Sequence, residues 1–207
     1  MNNTLSHHII QTHLTKNAPA ATLKTALETA VDNKISLNGI QLKRCNLSCA
    51  TLDTAQMANA DFSFSNLNHA NLSEAVLAGS DFTSASLIGT CLAQSDLSGC
   101  NFHYCDFGAT DISGAILDNT LFSALSTLQL PFRLARSMRN CAFLTASGEK
   151  ITFSTPPIVL HGFLSAPIAI IGQHLLIGHR HYKLSVRHIE KIRRIAQSKV
   201  DKLAKFS

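Results

Sequence analysis

A large apolar residue returns at every fifth position from Leu37 to Phe122, and this period constrains the fold more than any other feature of the sequence. An α-helix repeats its buried positions every three or four residues and a β-strand every two, so neither element explains a period of five. The register holds without a slip over eighteen positions. The pattern therefore predicts a solenoid in which each repeat turns its large residue inward.

Two further regularities define the shape of this solenoid. From Cys45 onward, the residue two positions before each large one is always Ala, Ser, Thr or Cys. Phenylalanine recurs at intervals of twenty residues, at Phe62, Phe82, Phe102 and Phe122. Four pentapeptides per coil would stack these rings in one column, with coils separated by the usual strand spacing of ~4.8 Å. The sequence thus predicts a four-sided coil with a thin, filled interior.

The units "ANADF", "HANLS", "GSDFT", "QSDLS" and "GATDI" resemble the A(D/N)LXX motif of the pentapeptide-repeat family, and the resemblance covers residues 37–122. It implies an all-β solenoid, the right-handed quadrilateral β-helix of that family. It implies a fold and not a function, because members of one fold family act in unlike ways.

We expect three segments: an N-terminal helical cap (1–36), the β-helix (37–125) and a C-terminal α+β segment (126–207). A β-helix has open ends with unpaired backbone groups, which need covering. The stretch "AATLKTALETAVDNK" has Leu23 and Leu27 at helical spacing, so it predicts a helix that closes the N-terminal end.

The C-terminal segment is predicted to contain short strands and a terminal helix. "CAFLTASGEKITFS" predicts two strands around a Ser147-Gly148 turn, and "APIAIIGQHLLIGHRHYKL" predicts strands turning at Gly172. The segment also resembles the C-terminal part of pentapeptide-repeat proteins carried by prophages, in which a strand ending in Ile-Gly precedes a helix. Ile177-Gly178 matches that pattern, and His179 stands where the pattern has a cysteine.

The last stretch, "LSVRHIEKIRRIAQSKVDKLAKF", predicts an amphipathic helix that begins at Ser185. Its basic face is a candidate for binding nucleic acid, an acidic membrane surface or the acidic coil of another molecule. A merely solvated face is the favoured interpretation, since no aromatic residues alternate with the basic ones. The face consists of Arg187, Lys191, Arg194, Lys202 and Lys205.

Charge is divided unevenly along the chain. The formal net charge of +5 has three parts: +1 from residues 1–35, −6 from eight acidic and two basic residues in 36–125, and +10 from three acidic and thirteen basic residues in 126–207. The β-helix is therefore acidic and the C-terminal segment basic, so the two parts favour partners of opposite charge.

The candidate partner surface consists of four outward residues on the side that carries the phenylalanine column. Phe64 and Tyr104 are large apolar residues at outward positions, with Ser84 between them. Exposed aromatic residues on such a coil are candidates for a contact surface, although scattered exposed apolar residues are also common on protein surfaces. Asp61 and Asp81 belong to the same side, although Asp and Asn before the large position also suit tight turns.

We predict no catalytic residue, cofactor or metal site. The sequence holds no phosphate loop, no G-x-S-x-G and no H-E-x-x-H, and a filled solenoid offers no substrate cavity. The six cysteines are interpreted as reduced thiols that fill small positions. On a strand His179 and His181 would share a face suited to Zn²⁺, but surface positions are favoured for these histidines and for His174 and His188.

Three functions fit these features. The first is a non-catalytic module that binds a protein partner, of phage or prophage origin. The second is DNA mimicry, because some pentapeptide-repeat proteins modulate DNA gyrase or topoisomerase by presenting an acidic rod, and such relatives often form homodimers. The third is attachment to nucleic acid or a membrane through the basic helix. With no leader or apolar span in the sequence, we expect a cytoplasmic protein.

Overall fold

The computed structural model describes residues 20–123, 130–160, 168–177, 180–192 and 194. Every fifth residue from Leu37 to Phe122 points inward, and none of these eighteen side chains is more than 1% exposed. The predicted five-residue period of burial is confirmed. Together they form the core of the coil, into which the neighbouring elements also pack.

Backbone pairing shows that four pentapeptides make one coil. Parallel bridges join residues twenty positions apart on each of the four sides. One bridge from each side is represented by Asp61 with Asp81, Asn66 with Ser86, Asn71 with Cys91, and Val76 with Asp96. The phenylalanine rings accordingly stack, with centroids 4.8 Å apart between Phe62 and Phe82 and 5.0 Å apart between Phe82 and Phe102. We call the side with this column the aromatic side; it comprises residues 41–44, 61–64, 81–84, 101–104 and 121–123.

The corners between the sides explain the Asp and Asn residues of the repeat. Asp61 Oδ1 accepts a hydrogen bond from the backbone N–H of Ser63 at 2.8 Å, and Asp81 Oδ1 accepts one from Thr83 at 2.9 Å. The next residue takes a left-handed conformation, with φ of 61° at Phe64. A short side chain that bonds its own backbone two residues on is well suited to such a turn.

Buried hydroxyl and thiol groups in the small positions are paired with the backbone. Ser80 Oγ donates to the carbonyl of Met57 at 3.0 Å, and Thr90 Oγ1 donates to that of Leu67 at 2.8 Å. Burying these groups is tolerated because each finds an acceptor inside the coil. The small position therefore accepts Ser, Thr and Cys as readily as Ala.

A helix at Ala20–Asp32 precedes the first coil. Its residues Leu27 and Ala30 are buried in the same core cluster as the repeat. Glu28 Oε1 accepts a hydrogen bond from the backbone N–H of Thr51 at 2.9 Å. The helix therefore packs against the first coil, and its role as a cap stays a prediction.

Parallel pairing continues beyond Phe122. The strands of the first sheet are β1 (Asn101–Phe102), β2 (Leu121–Ser123), β3 (Cys141–Leu144) and β4 (Lys150–Phe153). They lie in the order β1-β2-β3-β4, in which β1, β2 and β3 pair in parallel and β3 and β4 form an antiparallel hairpin. β2 pairs with β3 at a spacing of twenty-one residues, so that Phe122 lies opposite Phe143. A 3-10 helix at Phe132–Leu134 places Phe132 edge-on against Phe122, with 5.3 Å between ring centroids.

A second, antiparallel sheet follows, with strands β5 (Ile158–Leu160), β6 (Ile168–Ile171), β7 (His174–Ile177) and β8 (Arg180–Lys183) in the order β5-β6-β7-β8. Strands lie on both sides of Gly148 and of Gly172, the two predicted turn residues, and both glycines have positive φ. A helix over residues 186–192 comes next. The division into 1–36, 37–125 and 126–207 stays a prediction. The pairing of β2 with β3 joins residues on the two sides of its second boundary.

In the part of the chain that the structure describes, no helix combines the length and the apolar character that a membrane crossing needs.

Candidate functional site

The two outward aromatic residues form a vertical pair on the aromatic side. Phe64 is 50% exposed and Tyr104 66% exposed. Both occupy a left-handed corner, with φ of 61° and 57°. They lie two coils apart, with Ser84 at the same corner between them, which separates their backbones by about 10 Å at the usual strand spacing. The two rings can therefore contact one partner.

Phe64 has two cationic neighbours from the coil below. Lys43 Nζ lies 5.6 Å and Arg44 Cζ lies 5.5 Å from the centroid of the Phe64 ring. Both distances are within the range of cation–π attraction. The ring remains half-exposed, so this end of the aromatic side presents an apolar surface bordered by positive charge.

Tyr104 packs on the ring of its neighbour His103. The ring centroids are 3.8 Å apart with 49° between the planes. The Nδ1 atom of His103 is buried and has no hydrogen-bond partner among the described residues. A buried polar atom without a partner costs free energy, and its burial keeps Nδ1 out of reach of a group outside the coil.

Asp61 and Asp81 lie on the same side but are engaged in their corners. Asp81 Oδ1 accepts both the backbone N–H and the hydroxyl of Thr83, the latter at 2.6 Å, and both aspartates are partly buried. Both carboxylates thus stabilise the turns in which they lie. Their contribution to a partner surface stays a prediction.

The acidic character of the coil is stronger than the segment charge indicates. Residues 45–122 hold eight acidic residues and no Lys or Arg. The acids are distributed over all four sides, as the bridges of Asp81, Asp106 and Asp111 on three of them illustrate. The eight are Asp53, Asp61, Glu74, Asp81, Asp96, Asp106, Asp111 and Asp118.

The basic face is only partly covered by the structure. Arg187, Lys191 and Arg194 are exposed, whereas Lys202 and Lys205 lie outside the described residues. Ile189 on the opposite face is buried. The Ser185 hydroxyl lies 2.7 Å from Nδ1 of His188. Attachment through this face stays a prediction.

The histidines of the C-terminal segment take different positions from one another. His174 and His181 are half-buried and their rings stack at 5.0 Å, whereas His179 lies outside the described residues. Burial and the neighbouring His181 hold the pKa of His174 below its ordinary value. Glu149, which is not among the predicted site residues, has its Oε2 atom 3.2 Å from Nδ1 of His181. No local sequence signal could identify it, because the contact joins two separate sheets.

Comparison with known proteins identifies the repeat. The sequence matches the family model described as Pentapeptide repeats, with eight copies over residues 35–63, 55–92 and 80–119. No curated protein matches the chain.

Several solved structures are similar to part of the chain. A pentapeptide repeat protein from the cyanobacterium Cyanothece 51142 has 26% identity and a TM-score of 0.37, covering 42% of this chain and 63% of that chain. One from the Arabidopsis thaliana thylakoid lumen has 24% identity and a TM-score of 0.36, covering 56% and 83%. QnrB1, a plasmid-mediated fluoroquinolone resistance protein, has 22% identity and a TM-score of 0.24, covering 50% and 59%.

This chain thus spans less than two thirds of the first and the third of these proteins. The family match coincides with the buried five-residue positions and with the pairing at twenty residues. Residues 35–119 are thus identified as pentapeptide repeats, the sequence motif of a right-handed quadrilateral β-helix.

Proposed function

We propose that this chain is a non-catalytic scaffold that binds a protein partner through the aromatic side of its β-helix. The observation that carries the proposal is the pair Phe64 and Tyr104, two exposed aromatic rings at left-handed corners. A bulky residue with positive φ has a strained backbone. A half-exposed ring buries too little apolar surface to offset that strain. Aromatic residues of this kind supply much of the binding energy at protein interfaces.

The neighbours of the two rings support the same hypothesis. Lys43 and Arg44 border Phe64, and the ring of His103 packs on Tyr104. A matching partner surface would present apolar side chains beside an acidic group. The filled interior of the coil supports the non-catalytic part of the proposal, since eighteen side chains occupy the space a substrate would need.

The test is capture of the partner from host lysate with the full chain, followed by affinity measurement with the purified partner. We expect the double variant Phe64→Ser, Tyr104→Ser to bind at least tenfold more weakly. Ile88→Ser is the matched control, because Ile88 is also exposed and apolar but lies on another side. Equal affinity of the double variant and the parent would remove the aromatic side from the proposal.

DNA mimicry toward a topoisomerase is the alternative, favoured by the stretch of residues 45–122 that holds acids and no bases. The charge can be reduced without disturbing the corners. The Oδ1 atoms of Asp96 and Asp111 accept backbone N–H groups at 2.9 and 2.8 Å, and that of Asp106 accepts one at 3.3 Å. Asparagine keeps that acceptor, so the triple Asp→Asn variant loses three charges and retains the turns.

This alternative predicts that the chain alters supercoiling by purified gyrase and that the triple variant does so less. Unchanged supercoiling across a wide concentration range of the parent would exclude it. The cytoplasmic location, the prophage origin and the homodimer expected from the sequence remain parts of the proposal. Sedimentation velocity tests the homodimer directly.

A further inference from the structure

Three side chains that can bind a metal ion meet where the two sheets contact each other. His174 lies on β7 and His181 on β8, as diagonal neighbours, because Leu176 is the direct partner of His181 and Lys183 that of His174. Glu149 lies in the turn between β3 and β4 of the other sheet. One ligand atom from each residue lies within 4.8 Å of the others.

The contacts among the three determine which atoms are available. The carboxylate Oε2 of Glu149 is 3.2 Å from Nδ1 of His181. A carboxylate can only accept, so Nδ1 of His181 carries the hydrogen, and in the neutral ring Nε2 then presents its lone pair. That Nε2 lies 2.8 Å from Nδ1 of His174. Glu149 thus fixes the orientation and the tautomer of His181, as a carboxylate does behind many metal-bound histidines.

The two facing nitrogens are close to the spacing that an ion requires. Two ligands on a tetrahedral Zn²⁺, each at 2.0–2.1 Å, are about 3.3 Å apart. The observed 2.8 Å therefore has to open by roughly half an ångström, which small side-chain rotations supply. The ion would replace the hydrogen now shared between the rings, and His174 would carry its hydrogen on Nε2 instead.

We propose that His174 Nδ1 and His181 Nε2 bind a divalent transition metal ion of the Zn²⁺ type, with Glu149 as the positioning residue. Imidazole nitrogens suit Zn²⁺, Cu²⁺ and Ni²⁺ better than Ca²⁺ or Mg²⁺. The remaining coordination positions go to water or to a side chain of a partner. The ion would join β7 to β8, and Glu149 would stay hydrogen-bonded to Nδ1 of the bound His181. This site is separate from the aromatic side, so the proposal does not depend on the proposed partner.

Zn²⁺ titration of the full chain by calorimetry, without an affinity tag, tests the proposal. Thiols compete for Zn²⁺, so the titration uses a background with Cys45, Cys49 and Cys91 changed to Ser, since these three are not buried. We expect His174→Gln, His181→Gln to bind one Zn²⁺ fewer than the background. The control His188→Gln, whose ring contacts Ser185 instead, should bind as the background does.

Glu149 variants separate positioning from folding. Glu149 lies on a half-exposed turn, so Glu149→Ala is expected to fold. It should weaken Zn²⁺ binding about 10 to 100-fold. Glu149→Gln should recover part of the affinity, because the amide oxygen still accepts from His181. If the double histidine variant and Glu149→Ala both bind Zn²⁺ as the background does, or if the background binds none, the proposal is wrong.

Discussion

The ring of Phe62 lies flat on the ring of Phe82, with 4.8 Å between centroids and 9° between planes. This separation equals the usual distance between paired strands, about 4.8 Å. The stack can form only because backbone pairing places the two residues at the same point of successive coils. Phe102 and Phe122 extend it, and Phe132 covers its end edge-on.

Replacing Phe82 by Ala should strongly destabilise the β-helix. Phe82 is fully buried between Phe62 and Phe102, so the change leaves a cavity and removes two ring contacts. We expect a loss of about 3–5 kcal/mol in the free energy of unfolding, measured by urea denaturation. Phe64→Ala, an exposed phenylalanine on the same side, should cost less than about 1 kcal/mol. Similar losses for the two variants would contradict this account.

The coil could be predicted because its constraint is repeated in every pentapeptide. The interior admits one large and one small side chain per repeat, and a slip of one residue would place a polar side chain inside. Every fifth residue from Leu37 to Phe122 therefore indicates the same buried position. The fold could be predicted because this local pattern is repeated eighteen times.

The continuation beyond Phe122 could not be predicted in the same way. Phe143 pairs with Phe122 at twenty-one residues, so one extra residue shifts the register. A signal is still present, since Met138 and Phe143 are both buried and five residues apart. Both residues lie one position later than the five-residue register of residues 37–122 predicts, so that register does not identify them.

The candidate sites also differ in whether the sequence could predict them. The outward positions of Phe64 and Tyr104 follow directly from the repeat, and both are exposed in the structure. The meeting of Glu149 with His174 and His181 depends on how two sheets pack. Nothing in the local sequence specifies that packing.

Replacing Asp118 by Asn should weaken the junction between the coil and the segment that follows it. Asp118 is 8% exposed and accepts the backbone N–H of Arg139 at 2.8 Å, with the Arg139 guanidinium 2.6 Å away. Hydrogen bonds to a charged, buried group are worth more than neutral ones. We expect a loss of roughly 1–3 kcal/mol at neutral pH, measured by urea denaturation.

This loss should depend on pH in a definite direction. The Ser137 hydroxyl, aided by Arg139, holds the pKa of Asp118 below its ordinary value in the folded chain. Protonation therefore favours the unfolded state, so the contribution is complete above the ordinary carboxyl pKa and is lost as pH falls through the folded value. Parent and variant should converge between about pH 5 and pH 2. A difference that is independent of pH would contradict the assignment.

The cysteines should differ widely in reactivity. Burial raises the pKa of Cys105 to about 12 and raises that of Cys100 as well, and each thiol contacts a backbone carbonyl. Cys49 is exposed. Because the thiolate is the reactive form, iodoacetamide at pH 8 should modify Cys49 at least about 100-fold faster than Cys100 or Cys105. Mass spectrometry of the labelled peptides gives the rates, and rapid labelling of Cys105 in folded protein would contradict its burial.

Glu28 should stabilise the N-terminal edge of the coil. Its carboxylate accepts the backbone N–H of Thr51 at 2.9 Å, a group on the first coil with no earlier coil below it. Removing the acceptor with Glu28→Ala should cost about 1–2 kcal/mol, measured by urea denaturation. Glu28→Gln should cost less, since the amide oxygen still accepts the hydrogen bond.

A second consequence concerns association between molecules. An unpaired strand edge invites pairing with another chain, so Glu28→Ala should also associate more strongly than the parent in sedimentation velocity runs. The matched Glu28→Gln variant separates loss of the acceptor from loss of the charge. If Glu28→Ala matches the parent in both stability and association, the helix at Ala20–Asp32 covers the coil through Leu27 and Ala30 alone.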